Sequence, residues 1–438
     1  MQENYPVLPP DHDLRAAIND ELHIHPYEPL TPPERIALFA MLVSPEERLR
    51  EEKHLENLSG EFGGVKPKIK GNQIRFDFGR FRLKIERHYE FTQYKFVWST
   101  NESLPTEPFL ESVNQLLPDG WLHNLPGKVL TAMNIAFLPF PAEASSKILI
   151  DRYASIFDSS SLVGSQVGRS KGIVLTDFKI CDDGFIRVMI FTKAALPSQN
   201  GRLLLRLIEV ETYRMMALLA IPDARKLLSV LPKADKNLTD LTLAIASGEG
   251  TEDDKLLEDL TYLAASVENL VASNYRRFSA SRAYFDLVFK RLKDLREEPI
   301  ETLPSLGGIL ERRLEPGRST CESVSRWLDQ LALRVSHASQ LLRTRIDVRR
   351  ESQNQQLLVS MNKRFQIQLR LQETAELLSI VIIPYYGVNL LGYIVEEIDN
   401  VSHWSIDPLM IKAISAPILA ALALLLMSKM RKRQDPDL

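Results

Sequence analysis

Three side chains near the start of the chain have the types and spacing of a metal site. Glu21, His23 and His25 occupy every second position, and carboxylate and imidazole groups are common metal ligands. Side chains two residues apart in an extended segment point the same way, so His23 and His25 could share one ion. Because a closed zinc site needs four ligands, the alternative is a polar arm packed on a domain surface.

A glycine-rich segment has the composition of a phosphate-binding loop. Gly164, Gly168 and Gly172 recur at every fourth position, and Arg169 and Lys171 lie between them. Backbone N–H groups of such loops, together with nearby cations, can surround a phosphate. The same composition is also typical of a flexible connection before a strand, which is the more ordinary interpretation.

Four charged residues lie within two turns of one predicted helix, namely Arg206, Glu209, Glu211 and Arg214. They could supply an acid and a base, but ion pairs at helical spacing are commonplace, which favours a structural role. The sequence motifs of P-loops, dinucleotide sites, zinc proteases, serine hydrolases and EF-hands are absent. We therefore predict a protein that is not an enzyme, with no catalytic residue and no cofactor.

Short runs of alternating apolar and polar residues between positions 60 and 195 indicate an α+β domain with a mostly antiparallel sheet. Two strands, 72–86 and 90–98, are predicted to be antiparallel neighbours joined near His88. Further strands are predicted at 134–138, 148–150, 172–180 and 184–191, with the hairpin turn Asp182-Asp183-Gly184 between the last two.

Apolar residues at helical spacing predict the helices. They are expected at 11–22, 33–58, 200–219 and 253–297, with Thr31 as the cap of the second and the Pro32-Pro33 pair in its first turn. Another helix is predicted to start after Pro316-Gly317 and to run over 320–394, because proline and glycine are absent from 318–383.

This long helix carries an apolar seam. Steps of four and three connect positions 324, 328, 331, 335, 338 and 342, and the seam resumes near 357, 361, 365 and 369. Such a heptad pattern predicts a coiled-coil stalk, with the helix at 253–297 as its antiparallel partner.

Two apolar runs near the C-terminal end are long enough to cross a bilayer. Residues 377–394 contain no charge, and residues 408–427 contain one, Lys412, which can extend to the interface. The loop 395–407 between them is acidic and has no lysine or arginine, whereas basic residues flank both runs. The positive-inside rule therefore places both termini in the cytoplasm.

Composition narrows the remaining classes. With a net charge of −3, the chain lacks the positive electrostatic field that most nucleic-acid-binding proteins carry. Its low cysteine content, two residues, fits a reducing compartment. The first residues have no signal-peptide pattern, so the soluble part is expected in the cytosol. The predicted organisation is a proline-rich arm with helices (1–59), an α+β domain (60–230), a helical stalk region (231–376) and two transmembrane helices (377–438).

Several motifs resemble those of a known family. They are Leu14-Arg-Ala-Ala-Ile-Asn-Asp-Glu-Leu-His-Ile-His-Pro, Glu86-Arg-His-Tyr-Glu-Phe-Thr-Gln-Tyr-Lys-Phe, Glu211-Thr-Tyr-Arg-Met-Met-Ala-Leu-Leu-Ala-Ile-Pro and Leu369-Arg-Leu-Gln-Glu-Thr. The chain resembles, over nearly its whole length, a bacterial family of predicted membrane-anchored proteins, a domain of unknown function numbered three-four-two-two. The resemblance implies an anchor in the bacterial inner membrane and implies no activity. His25 departs from the family pattern, which has arginine there.

The layout is also similar to that of CorA-type magnesium channels, which have a cytoplasmic α+β domain, a long helix, a short outer loop and a second span. Those channels carry Gly-Met-Asn at the outer end of the first span, and Gly387-Val-Asn389 is similar but lies nearer the middle of its run. The resemblance implies a pore lined by Gly387 and Asn389, with Glu396, Glu397 and Asp399 concentrating cations at its mouth.

The sequence thus predicts an inner-membrane protein whose cytosolic domain binds or scaffolds an unidentified protein partner. We expect it to contact the lipid bilayer, to form a homo-oligomer through its long helix and spans, and to bind no nucleic acid. Two alternatives stay open. One is a CorA-like oligomeric divalent-cation channel, and the other is a membrane-tethered enzyme acting at Glu21 and His23 or at the glycine-rich loop.

Overall fold

The chain divides into two compact units, Met1–Ala338 and Ser339–Leu438. A computed structural model of the protein describes residues 11–15, 18–19, 27–142, 144–247, 253–402 and 408–434. Within the predicted arm and helices (1–59), residues 1–10, 16–17 and 20–26 lie outside the described residues, and five of them belong to the helix predicted at 11–22.

The first unit is built on one ten-stranded sheet. Its strands are β1 (Glu34–Leu42), β2 (Lys68–Lys70), β3 (Gln73–Asp77), β4 (Arg82–Arg87), β5 (Phe91–Ser99), β6 (Lys128–Pro139), β7 (Val163–Val167), β8 (Gly172–Ile180), β9 (Ile186–Thr192) and β10 (Glu298–Pro299). Their order is β10-β7-β8-β9-β6-β1-β5-β4-β3-β2, and β6–β9 is the parallel pair among these described strands. The predicted α+β class with a mostly antiparallel sheet is confirmed, as are the antiparallel pairs β4–β5 and β8–β9.

The helices account for most of the second half of the chain. They are α1 (Pro45–Glu61), α2 (Ser146–Tyr153), α3 (Pro197–Leu218), α4 (Ile221–Ser247), α5 (Asp253–Leu295), α6 (Leu306–Ser402) and α7 (Pro408–Gln434). The predicted helices at 200–219 and 253–297 correspond to α3 and α5. The most extensive packing of α5 is on α3, whereas the antiparallel partner predicted for it was the long helix.

The helix predicted at 33–58 is wrong in its first half. Those residues form β1, which lies between β5 and β6 and buries its first eight residues. A run that is buried on both faces suits a central strand, and this burial outweighs the helical spacing. The helix begins after Ser44 rather than Thr31. Ser44 Oγ accepts a hydrogen bond from Glu47 N, and the Glu47 carboxylate accepts one from Ser44 N, which forms a capping box.

Two strand predictions also need correction. The run 72–86 contains both β3 and β4, because Gly79, with a φ of 75°, turns the chain between them. The residues 148–150 lie in α2, whose first turn is capped by Ser145. Three residues are too few to distinguish the alternation of a strand from the spacing of a helix. The buried side chains lie on one face of the helix, at Leu149, Ile150 and Tyr153.

The two faces of the sheet carry separate apolar cores. One face packs against α3, α5 and the first turns of α6, with Ile36, Ile135 and Phe285 fully buried between them. The core on the other face lies under α1 and includes Phe96 and Trp121. Packing of α3 on the first face places the start of this helix next to the β7–β8 hairpin.

The long helix begins earlier than predicted. It starts at Leu306, so that Pro316 and Gly317 lie inside α6 rather than before it. Gly317 permits close packing on α4, since a Cβ at this position would lie 2.6 Å from Ile221 Cδ1. The seam positions in the first part of α6 are buried, at Val324, Leu328, Leu331, Val335, Ala338 and Leu342. Burial confirms an apolar seam, while the coiled coil stays a prediction.

The second unit contains the rest of α6 together with α7. The later seam residues are exposed on α6, at Leu357, Met361, Phe365 and Leu369. The α6 helix and the segment Leu409–Leu426 of α7 are each long and apolar enough to cross a membrane. Because α6 extends to Ser402, the loop predicted at 395–407 is helical over most of its length. Residues 403–407 lie outside the described part.

Two glycines of α6 allow α7 to pack closely within this unit. A Cβ at Gly387 would lie 3.1 Å from Leu419 Cδ1, and one at Gly392 would lie 3.0 Å from Lys412 Cδ. The Lys412 ammonium lies 6.0 Å from the ring centre of Tyr393 on α6. Small residues at a helix contact are typical of helices that associate in lipid.

Candidate anion-binding site

A basic pocket opens where the β7–β8 hairpin meets the start of α3 and the end of α5. Its volume is about 280 Å³, and its wall contains Lys171, Arg202, Arg206 and Arg296. No aspartate or glutamate is among the described residues that line it. Four cations and no carboxylate give the lining a formal charge of +4. Such a concave cationic surface attracts anions.

The hairpin loop between β7 and β8 has a strained backbone. Gly168, Arg169 and Ser170 have φ values of 66°, 62° and 60°. This left-handed conformation costs a residue with a Cβ about 1–2 kcal/mol, so other contacts must hold it. Gly168 N donates a hydrogen bond to the carbonyl of the last residue of α5 over 2.9 Å, and Ser170 Oγ donates one to Glu298 Oε2 over 2.5 Å. Both contacts fix the loop and place Lys171 in the pocket wall.

The start of α3 forms another wall of the pocket. The helix begins at Pro197 without a side-chain cap, and Gln199 and Asn200 of its first turn line the cavity. Asn200 is buried and accepts a hydrogen bond from Thr192 Oγ1 over 2.8 Å, while its Nδ2 donates to Leu30 O over 3.1 Å. These bonds fix the helix start on the sheet. The positive end of the helix dipole therefore adds to the field of the cations.

Arg296 reaches the pocket from the connection between α5 and β10. It too is left-handed, with a φ of 48°. The next residue, Glu297, accepts hydrogen bonds from Gly307 N and from Ser165 Oγ, each over 3.0 Å. Glu297 thus caps the start of α6 and holds the residue that precedes it in place.

Three of the four cations of the pocket lack a directly bonded carboxylate among the described residues, although the charge of Arg206 also acts on Glu209. The side chains of Lys171, Arg206 and Arg296 form no hydrogen bond or salt bridge with any other described residue. The Arg202 guanidinium lies 5.1 Å from the ring centre of Tyr27, a cation–π distance. Free guanidinium and ammonium groups are the donors that bind tetrahedral oxyanions in proteins. The arrangement is therefore suited to holding an anion.

The other members of the predicted acid–base cluster are paired elsewhere. Arg214 donates two hydrogen bonds to the buried carboxylate of Glu211, over 2.9 and 2.6 Å, and Thr131 Oγ1 donates a third over 3.3 Å. Glu209 pairs with Arg291 of α5 at 2.6 Å. These partly buried arginines have carboxylate partners, which distinguishes them from the arginines of the pocket. The distances favour a structural role for both pairs.

Burial is the largest influence on the pKa of both Glu209 and Arg214. It raises the pKa of Glu209 above the ordinary range, although Arg291 opposes this change. Burial alone would lower the pKa of Arg214, but the charge and hydrogen bonds of Glu211 outweigh it, and the pKa is raised. The Arg214 guanidinium thus stays charged inside the fold.

The remaining candidate residues stay predictions. Glu21, His23 and His25 lie outside the described residues, and the described part contains no group of three or more His, Cys, Asp or Glu side chains that could hold a metal ion.

The predicted pore residues all lie on α6. Gly387 faces α7, and Asn389 Nδ2 donates to the carbonyl of the residue one turn earlier over 3.1 Å. Glu396 and Glu397 are exposed, and the Asp399 side chain is outside the described part. A role for these five residues in conduction remains a prediction.

The sequence identified the hairpin loop and singled out Arg206 as a member of a charged cluster, but Arg202 and Arg296 were missed. Arg202 and Arg206 are four residues apart on α3, and this spacing puts both on one helix face. A search for cations at such spacing next to a helix start would have linked Arg202 with Arg206. Arg296 has no local signal, because the packing of α5 on α3 brings it to the hairpin.

Comparison with family models matches residues 10–434 to the family described as "Protein of unknown function (DUF3422)". The chain belongs to this family. The match includes the basic pocket and both apolar helices, and it confirms the resemblance seen in the motifs. No curated protein matches the chain. The similarity to CorA-type channels gains no support from these comparisons.

Proposed function

We propose that this protein is anchored in a membrane through α6 and α7, and that its first unit binds a small phosphate-bearing anion in the basic pocket. The observation that carries the proposal is a cavity of about 280 Å³ with four cationic side chains and no lining carboxylate. A phosphate group suits such a site because it accepts several charge-assisted hydrogen bonds at once. No carboxylate, histidine or cysteine is among the described lining residues, which favours binding over catalysis.

The anchor is proposed from the exposed apolar surface of the second unit. The segment Leu409–Leu426 has a mean hydropathy of 2.3, and none of its residues is fully buried in the protein. A lipid bilayer is the surrounding that makes such exposure favourable. Basic residues follow this apolar segment at Lys429, Arg431, Lys432 and Arg433, so we place both termini on the cytoplasmic side of the bacterial inner membrane.

Ligand binding is tested by titration calorimetry on the full-length protein in detergent, with inorganic pyrophosphate as the probe. We expect saturable binding that weakens as salt is added. Arg206→Gln removes one charge-assisted contact, which is worth about 1.5–3 kcal/mol, so the affinity should fall by roughly 10-fold to 100-fold. Arg313→Gln is the matched control, because Arg313 is exposed on α6 and outside the pocket. Absence of binding, or an equal loss in both variants, would overturn the proposal.

The anchor and its orientation are tested separately. The protein should stay with membranes after carbonate extraction. A cysteine introduced at Ser402 should react with an impermeant maleimide added outside spheroplasts, whereas one introduced near the C-terminus should not. Labelling of the C-terminal cysteine from outside would contradict the orientation.

An oligomeric cation channel is the second candidate. Glu396 and Glu397 are exposed beyond the apolar part of α6, where they would attract cations to a shared mouth. Light scattering of the solubilised particle, with the detergent contribution subtracted, tests this candidate. A ring of four or more subunits would justify flux assays on Asn389→Ala, and a monomer or dimer would exclude a shared central pore.

A further inference from the structure

A second pocket lies on the other face of the sheet, between α1, the edge strand β2 and its neighbour β3. Its volume is about 340 Å³. Leu55, Ile74 and Phe76 form a buried apolar wall, and Ile69 is 68% exposed beside them. Mostly apolar cavities of this size with a few polar groups are typical of small-molecule sites.

The polar side chains of this pocket carry an excess of negative charge. Glu52 and Glu56 of α1 and Arg87 of β4 line it. Arg87 is already engaged, with Nε 3.2 Å from Glu51 Oε1 and Nη1 3.3 Å from Glu52 Oε1. Glu56 forms no hydrogen bond or salt bridge with another described residue. Two lining carboxylates and one guanidinium give the lining a charge of −1.

The hydrogen-bonding capacity that remains is mainly that of an acceptor. Asn72 lines the pocket, its Nδ2 donates to Arg87 O over 2.9 Å, and its buried Oδ1 accepts no hydrogen bond. The exposed carboxylates of Glu52 and Glu56 offer further acceptor oxygens. One buried donor, Arg87 Nη2, has no acceptor. A ligand that supplies several N–H groups would satisfy more of these atoms than one that supplies acceptors.

The edge strand β2 adds no cation to this side. Side chains alternate along a strand, so Ile69 faces the pocket while its two neighbours, Lys68 and Lys70, face the other side of the sheet. Lys68 lines a different cavity on that side.

We infer that this pocket binds a small organic cation, a primary ammonium attached to an apolar body about the size of an aromatic ring. The apolar body lies against Leu55, Ile74 and Phe76. The ammonium donates to Asn72 Oδ1 and to the carboxylate of Glu56, since an ammonium has three donors and no acceptor. This ligand has the opposite charge to that of the basic pocket, and the two sites lie on opposite faces of the sheet.

The experiment uses the full-length protein in detergent and two probes with the same ring, phenethylamine and phenylacetate. Saturation-transfer NMR and calorimetry measure their affinities. We expect phenethylamine to bind at least about 10-fold more tightly than phenylacetate, because only the amine is complementary to the carboxylates. Equal affinities, tighter binding of phenylacetate, or no binding of phenethylamine at millimolar concentration would overturn the inference.

Variants on α1 separate a specific contact from a general charge effect. Glu56→Gln should lower the affinity for phenethylamine by roughly 3-fold to 10-fold. Glu61→Gln, on the same helix but outside the lining, should leave it unchanged. Glu56 and Glu61 are both exposed, so both variants should fold, and unchanged melting verifies this. If the two substitutions lowered the affinity for phenethylamine equally, the proposed site would be refuted. As a further control, both variants should bind pyrophosphate in the basic pocket with the same affinity.

Discussion

Gly201 of α3 packs directly on the backbone of the segment that precedes β1, and its replacement by alanine should destabilise the protein. A Cβ at Gly201 would lie 3.0 Å from the carbonyl carbon of Glu28 and closer still to the carbonyl oxygen. Carbon–oxygen contacts normally need about 3.3 Å, so the Glu28 carbonyl would have to retreat by roughly 1 Å. That movement would stretch the hydrogen bonds of Leu30 with Pro197 and Asn200, which are both 3.1 Å long.

The size of the effect follows from opposing contributions. Overpacking of this kind costs about 1–3 kcal/mol. Alanine is more favourable than glycine inside a helix by about 0.5–1 kcal/mol, which offsets part of that cost. The displaced Glu28 carboxylate also pairs with Lys95 at 2.6 Å and Arg82 at 3.5 Å, and both pairs would be loosened. We expect a net loss of about 1–2 kcal/mol in the free energy of unfolding.

The assay is chemical denaturation of the full chain in detergent, followed by far-UV circular dichroism. Gly60→Ala is the matched control, because Gly60 also lies in a helix, α1, and a Cβ there would meet no atom within 4 Å. This control should gain about 0.5–1 kcal/mol. If Gly201→Ala were as stable as the natural chain, or followed the control, the steric reasoning would be refuted.

Three further outcomes are expected. Arg214→Met should cost about 3–5 kcal/mol in unfolding experiments, because it leaves the buried Glu211 carboxylate without its partner, and a loss under 1 kcal/mol would contradict this. Burial raises the pKa of Glu51 above its ordinary value, so the folded state holds the proton of this carboxyl group more tightly than the unfolded chain does. The protonated Glu51 therefore contributes stability that is fully present below the pKa of this group in the unfolded chain and is lost as the pH rises through its pKa in the folded protein. Glu51→Gln should remove this pH-dependent contribution from a plot of unfolding free energy against pH, and an unchanged plot would contradict the prediction. Burial raises the pKa of Cys321 to about 11, and its side chain is 5% exposed, so maleimide near neutral pH should label Cys181 first and Cys321 only after unfolding.

Local pattern was sufficient for much of the fold. Alternation and turn residues predicted β8, β9 and the hairpin between them, and helical spacing predicted α3 and α5, because each of these elements has one buried and one more polar face. The two apolar helices near the C-terminal end were also evident, since bilayer-length apolar runs depend on composition alone. Family membership followed from motifs in the same way.

Local pattern failed where burial depends on distant parts of the chain. The residues of β1 have helical spacing, but β5 and β6 lie on either side of them and the two apolar cores cover both faces. Pro316 and Gly317 have the composition of a helix boundary, yet α6 continues through them, and the packing of Gly317 on α4 suits a residue without a side chain.

The basic pocket shows the same division. Its hairpin loop was identified from glycine and cation spacing, which are local properties. The assembly of Lys171 with Arg202, Arg206 and Arg296 was decided by the packing of α5 on α3 and by the strained loop conformation, neither of which leaves a periodic trace in the sequence. The sequence determines which segments have an apolar face to bury. The tertiary structure determines which charged residues come to lie side by side when those faces pack together.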